Sequence, residues 1–238
     1  MDISALKLDF KALNEQINAE DGDVRISDCC GHRFIGCGAK GKTITINGTP
    51  GNALGAYMDG AVIEVNGNAQ DAVGDTMNDG EIIIRGSAGD ALGYAMRGGS
   101  IYVKNDAGYR TGIHMKEYRD KKPVIVIGGK AGSFLGEYLA GGIIIVLGIG
   151  AEDVPVGNFT GTGMHGGRIF VRTENELENL PAQVTITVAD EDEKMGIKGY
   201  ISRFAGLFGA DIDALMRDKF YVLKPNAKNP YKQLYTVN

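Results

Sequence analysis

The residues whose types could do chemistry gather toward the start of the chain. Gly36-Cys37-Gly38-Ala39-Lys40-Gly41-Lys42-Thr43 fits the P-loop spacing and also contains a GxGxxG run. Either motif cradles phosphate only when the glycine loop opens a helix whose first amides face the ligand. Here Thr43-Ile44-Thr45-Ile46 follows, an alternation that reads as a strand, so nucleotide binding is not expected. Cys29, Cys30 and Cys37 lie within nine residues, with His32 among them, and such a set invites zinc. Adjacent cysteine side chains diverge and no CxxC pair exists, so small buried or turn cysteines are the expected outcome. The thiols are also too few for an iron–sulfur cluster in any usual spacing. His32, His114 and His165 are far apart in sequence, and no GxSxG elbow offers a nucleophile.

The elements that would have to position these groups follow from glycine. The chain has 238 residues, 36 of them glycine, and 31 of those glycines fall between Gly31 and Gly167. Aligning on Gly36, Gly55, Gly74, Gly93, Gly112, Gly136 and Gly161 gives four steps of 19 residues, then 24 and 25. Three positions after each marker stand Ala39, Met58, Met77, Met96, Met115, Leu139 and Met164. One position before stand Ile35, Leu54, Val73, Leu92, Thr111, Leu135 and Thr160. Eight and ten positions after come Ile44/Ile46, Ile63/Val65, Ile82/Ile84 and Ile101/Val103, then, past a five-residue insertion, Ile125/Ile127. Ile144/Val146 and Ile169/Val171 complete the column.

Alternation of period two means that each repeat carries a short strand with one face inward. One 19-residue unit cannot bury that face alone, but stacked copies can. The sequence therefore predicts an all-β fold, a parallel β-helix of about seven coils, roughly 30 Å tall at the ~4.8 Å strand spacing. An antiparallel up-and-down barrel would show hairpin turns and no identical columns every 19 residues. Right-handedness is expected only from the general preference of parallel crossovers. The boundaries read as a helix-containing cap over 1–30, the β-helix over 31–173, and a strand-and-helix cap with tail over 174–238. In the first cap Asp9 starts a helix that puts Phe10, Leu13 and Ile17 on one face and ends at Gly22. In the second, Val184–Val188 forms a strand, and Asp190 with Glu193 makes a capping box opening a helix through Ile197, Ile201, Phe204 and Phe208. Both caps are expected to cover the open ends of the solenoid.

Within the repeat, the methionine column reads as core, and Asn52, Asp71 and Asp90 as turn caps of stacked loops. Two insertions exceed what the coil needs. Ile149 to Val156, with Glu152 and Asp153, precedes the last marker. The other places Lys116, Tyr118, Arg119, Lys121 and Lys122 on a chain of net charge −5, a basic and aromatic mix suited to an acidic partner face. These five are the candidate partner interface, and no catalytic, cofactor-binding or metal-ligating residue is expected on this chain. The acidic balance argues against nucleic acid or an anionic membrane as partner. The longest apolar run, Ala140 to Ala151, is 12 glycine-interrupted residues, too short to span a bilayer. Three clustered cysteines without a secretory signal, and the acidic start Met1-Asp2-Ile3, give a cytoplasmic expectation.

Several segments resemble a known family. Gly31-His32-Arg33-Phe34-Ile35-Gly36, Pro50 to Gly60, Gly67-Asn68-Ala69-Gln70-Asp71, Tyr94 to Gly99, Gly108 to Tyr118 and Gly161 to Gly167 look like the C-terminal domain of the glutamate synthase large subunit. The likeness is to its stand-alone version, strong from about Leu8 to Gly167 and looser through Pro230-Tyr231. The same repeat occurs in the C subunit of formylmethanofuran dehydrogenase. The resemblance implies a right-handed β-helix and a non-catalytic subunit bracing the glutaminase and FMN synthase components in ammonia assimilation. It places FMN and an iron–sulfur cluster on the glutaminase and synthase partner subunits and none on this chain. Consistently, Met1-Asp2 offers no N-terminal cysteine nucleophile. The alternative is a scaffold subunit of another redox complex, such as formylmethanofuran dehydrogenase. A homo-oligomer stays open.

Overall fold

The glycine markers return the chain to one register. The computed structural model describes residues 1–178 and 180–226. Strands β1 (Asp2–Ser4), β2 (Val24–Cys30), β3 (Thr43–Thr49), β4 (Asp59–Asn66), β5 (Asp79–Ile84), β6 (Ser100–Val103), β7 (Val124–Ile127), β8 (Ala140–Val146) and β9 (Gly166–Arg172) pair in chain order, all parallel. Ile44, Ile63, Ile82, Ile101, Ile125, Ile144 and Ile169 sit directly over one another, so the insertion falls where the spacing predicts. A second side of the coil is joined by single bridges from Ala69 through Ala88, Ala107 and Ala131 to Val156. The solenoid has about eight turns, close to the seven expected. The extra rung is β2, which precedes the first marker.

At each corner three residues take left-handed backbone: the marker and the residues two before and two after it. In the second coil these are Ala53, Gly55 and Tyr57, with φ of 62°, 66° and 56°. The alternation points successive amides in opposite directions along the stack. Ala53 and Tyr57 donate to Asp71 and Asp75 of the next coil, while Gly55 donates back to Ile35. Only the central position is glycine in every coil, and sterics explain it. A Cβ on Gly55, Gly74 or Gly93 would lie 2.7, 2.5 or 2.5 Å from the Cδ1 of Ile82, Ile101 or Ile125 in the coil above. The flanking positions vary among alanine, threonine, phenylalanine, tyrosine, arginine, histidine and glycine, so no such collision restricts them to glycine.

The interior is apolar and continuous. The methionine column from Met58 to Met115 and the stacked isoleucines are fully buried. Two threonines intrude, Thr111 and Thr160, and each hydroxyl donates to a backbone carbonyl three residues earlier, Gly108 O at 3.3 Å and Gly157 O at 3.1 Å. Buried hydroxyls satisfied in this way carry little penalty.

The ends are closed differently from each other. Helix α1 (Phe10–Ala19) plugs the first turn with Leu13 and Ile17, and Asp9 Oδ1 accepts from Lys11 N and Ala12 N at 2.9 and 2.8 Å. It stops at Ala19 rather than Gly22, because Glu20 is extended. At the far end β10 (Val184–Val188) forms as expected, but a second strand lies between it and the solenoid. That strand, β11 (Phe220–Pro225), pairs antiparallel with both β9 and β10.

Helix α2 (Glu191–Phe208) has the expected capping box and buries Ile197, Ile201 and Phe204. It does not cover an end. It lies on the outer side of the sheet, against Tyr102, Val126, Ile145 and Phe170, with α3 (Ile212–Arg217) beside it. The cause is the column nine positions after the marker. It begins with Thr45 and Glu64, then turns apolar through Ile83, Tyr102, Val126, Ile145 and Phe170. Strand β7 is consequently buried at all four positions, a two-faced burial that needs an outer layer. Pro230 and Tyr231, the looser end of the resemblance, lie outside the described residues.

This packing makes a mutational prediction. Gly74→Ala combines left-handed strain with a collision at Ile101 and should cost about 2–4 kcal/mol. Ala72→Gly, two positions earlier, should stay within about 1 kcal/mol. Adding Ile101→Val to Gly74→Ala removes the offending Cδ1 and should recover part of the loss. Urea denaturation of the three proteins checks the order; equal midpoints for the two single variants would refute the steric account.

Candidate functional site

The phosphate-loop lookalike is committed to structure. Thr43 begins β3 instead of a helix, and its amide donates to Asp23 Oδ1 at 2.7 Å. The Lys42 ammonium donates to Ile17 O at 3.1 Å and also to Glu20 O. A cation there satisfies terminal carbonyls of α1 and complements the negative end of its dipole. Lys40 pairs with Asp59 at 2.9 Å.

His32 is a pin. Its Nδ1 accepts from Cys30 N at 3.2 Å, which fixes the neutral tautomer whose Nε2–H donates to Leu8 O at 2.9 Å. Cys29 Sγ lies 3.9 Å from the same ring, and burial pushes its thiol up to about 11. Cys30 and Cys37 are exposed, and no group of three His, Cys, Asp or Glu among the described residues could hold a metal. His114 stacks on Tyr138 at 5.0 Å and His165 Nδ1 lies 3.2 Å from Gly163 O, so the histidines meet at no common point. The polar column is a ladder. Asn52 Oδ1, Asp71 Oδ1 and Asp90 Oδ1 accept from the backbone amides of Asp71, Asp90 and Tyr109 at 3.3, 2.9 and 2.8 Å. A second such ladder, through Asn68, Ser87 and Asp106, was not foreseen.

The basic insertion folds back over the stack. Tyr118 and Lys121 exchange backbone hydrogen bonds of 3.1 Å each, and the Arg119 guanidinium lies 5.2 Å from the Tyr118 ring centroid. Lys121 reaches down to Asp79 at 2.9 Å and Asp59 at 3.4 Å, two and three coils below its own. Lys40 and then Lys121 hold the Asp59 carboxyl below its ordinary range, while Asp79 leads in raising Lys121. Of the five candidate interface residues, Lys116, Tyr118, Arg119 and Lys122 are exposed and Lys121 is tied inward. Beneath the loop is a cavity of about 280 Å³ whose lining includes Asp59, Arg97, Tyr118, Arg119 and Lys121. Arg97 was missed in the sequence. The signal was there: four positions after the markers stand Lys40, Asp59, Asn78, Arg97 and Lys116, a polar column that the loop overlies.

Two other surfaces stand out. The outward side chains of the glycine corner make an aromatic ridge. Phe34, Tyr57, Tyr94, Tyr109 and Phe159 are exposed; Phe134 stacks on Phe159 at 5.0 Å, with Arg110 5.3 Å from the Phe134 centroid. A groove of about 620 Å³ runs by the C-terminal end of α2, bordered by Phe204, Phe208, Lys104 and Lys130. The second insertion contributes Ile149 to this groove and leaves Glu152 and Asp153 exposed. No helix among the described residues is long and apolar enough to cross a membrane.

Comparison with known proteins agrees with this architecture. The model of a family described as GXGXG motif matches residues 12–227. That spacing is the spacing of the left-handed corner residues. An uncharacterized protein of Methanocaldococcus jannaschii is 43% identical over 249 aligned positions, covering 98% of this chain and 95% of that one. A chain from the crystal structure of the formyltransferase/hydrolase complex of Methylorubrum extorquens, determined in complex with methylofuran, has the same fold. It matches with a TM-score of 0.66 and 20% identity, over 92% of this chain and 89% of that chain.

Two predictions follow from the site. Lys42→Met should destabilise the protein by about 1–2 kcal/mol by uncapping α1, and calorimetry with ATP should show no saturable heat before or after the change. Burial also pushes the Tyr102 phenol up to about 12. Cys29 and Tyr102 thus hold their protons more tightly folded than unfolded, so their contribution is complete below about pH 9 and is lost as pH rises toward 12. Melting temperature followed from pH 8 upward should fall in that window, and Cys29→Ala with Tyr102→Phe should flatten the slope. An unchanged slope in the double variant would contradict it.

Proposed function

The chain belongs to the GXGXG motif family, and on that premise we propose that it is a non-catalytic scaffold subunit of a multi-subunit complex, with the chemistry carried by partner subunits. The observation that carries the reading is the fold match, over nine-tenths of both molecules, to one chain of a formyltransferase/hydrolase complex. Two surface features support it. The aromatic ridge offers the residue types that dominate interface energetics. The exposed cations Lys116, Arg119 and Lys122 flank Tyr118 on an otherwise acidic molecule.

The order of the two candidate assemblies changes from the sequence expectation. A complex handling one-carbon groups, of the formylmethanofuran dehydrogenase type, now comes first, because the structural likeness is to a chain of a formyltransferase/hydrolase assembly. Glutamate synthase comes second, kept by the motif series from Gly31 to Gly167. In that second reading FMN and an iron–sulfur cluster belong to the synthase partner and glutamine hydrolysis to another. The cytoplasm is the compartment either assembly would occupy.

Purification of the tagged chain from its native host, with mass spectrometry and absorbance spectra, tests the proposal. Stoichiometric recovery of formyl-transfer or hydrolase subunits is expected. Flavin-bearing and glutaminase subunits in their place would favour the second reading, and a chain recovered alone would overturn both. Deleting residues 118–122 restores the 19-residue spacing. Because it removes only partly exposed ion pairs, stability should change by no more than about 1 kcal/mol, while the assembly should dissociate more readily, most clearly at low salt. Unchanged association would remove the loop from the interface.

A further inference from the structure

Arg97 is the cation that its surroundings leave over. Its Nε is buried without a hydrogen-bond acceptor, and no hydrogen bond or ion pair engages its side chain among the described residues. Native chains leave few buried N–H groups unsatisfied, and a guanidinium N–H is among the costlier ones to strand. The carboxylates nearby are spoken for: Asp59 by Lys40 and Lys121, Asp79 by Lys121. Asp120, which also lines the cavity, makes no ion pair with Arg97.

We propose that the cavity beneath the Tyr118–Lys121 turn is a binding site for one carboxylate group, held by the Arg97 guanidinium. The planar fork of arginine matches the two oxygens of a carboxylate, and Arg97 lines the cavity that would hold it. The lining fixes the charge of the guest. Arg97, Arg119 and Lys121 supply three positive charges against two negative ones from Asp59 and Asp120, so one positive charge remains. That balance suits a single carboxylate better than a phosphate dianion. A space of about 280 Å³ admits a small organic acid or one inserted acidic side chain. Tyr118 and Arg119 form the lip, and the turn that carries them is anchored through Lys121, so the pocket is built in advance of its occupant.

The site does not depend on the scaffold reading, and the test keeps the two apart. The side-chain Nε–H resonance of Arg97 would be followed by NMR while sodium acetate is added to the intact chain. A saturating shift at Arg97 is expected, with a non-saturating drift at the exposed Arg168. Arg97→Lys keeps the charge and loses the fork, so acetate affinity, read from neighbouring amides, should fall by about tenfold or more. Arg119→Met, at the lip, gives a milder second variant, and Lys198→Met on α2 should bind as the parent does. A shift at Arg97 that never saturates overturns the site, and tighter saturation by phosphate overturns its assignment to carboxylate. Formate and L-glutamate separate the sources: a free acid that binds well above acetate identifies a small-molecule ligand. If none does, and Arg97→Lys lowers the salt concentration at which the purified assembly dissociates, the carboxylate belongs to a partner's side chain. Failure to recover any assembly would count against the scaffold and leave the acetate titration intact.

Discussion

The structure depends on the absence of one methyl-sized group at each corner. Where the chain turns through alternating left-handed residues, the central one faces inward, in the first six corners beneath the isoleucine of the coil above and in the last against Val184. Space for that isoleucine exists only if the corner residue is glycine. The contact joins one coil to the next, so it sets register as well as curvature. The same alternation sends backbone amides both up and down the stack, satisfying the polar groups of a segment too irregular to be a strand. The interior columns are then consequences: once corners are superimposed, every third position after the glycine must stack on its counterpart, and methionine fills the uneven space.

A solenoid with one interior still has two open ends, and here they are closed by unlike means. The first turn is plugged by an amphipathic helix whose C-terminal carbonyls are held by Lys42 from the coil beneath, so cap and stack share a residue. The last turn is closed by reversing direction. Strand β11 runs antiparallel to β9, and β10 covers it in turn, so no parallel rung is offered for continuation. The outer helix answers a different need. Five consecutive coils carry apolar residues on both faces of their strands, and α2 covers the outward residues of the last four, Tyr102, Val126, Ile145 and Phe170.

The groups that look catalytic in the sequence are consumed by this architecture. Lys42 is a helix cap, His32 a backbone pin, and Asp71 and Asp90 are steps of a hydrogen-bond ladder between coils. Spending polar side chains on the stack is what a turn-rich repeat requires, because its corners expose amides that regular sheet would have paired. What is left for recognition lies outside the coil: aromatic side chains on the corner ridge, exposed cations on the basic loop, and Arg97 under that loop.

The repeat, the parallel stack, the inward columns, the position of the insertion in the fifth coil and the starts of α1 and α2 were all legible in the sequence. Each is local or strictly periodic: a glycine every 19 residues, an alternation of period two, an aspartate ahead of an amphipathic run. The tertiary structure alone decided what depends on residues far apart meeting. It put α2 on the side instead of the end, inserted β11 between β9 and β10, and turned Lys121 back to Asp59 across 62 positions of sequence. Arg97 belongs to the same class. Its place in a column could be counted from Gly93, but its isolation depends on which cations reach which carboxylates once the loop has folded over them. Periodicity records what each residue faces within its own repeat; it carries no record of contacts made by the chain that departs from the repeat, and the candidate site is made of those.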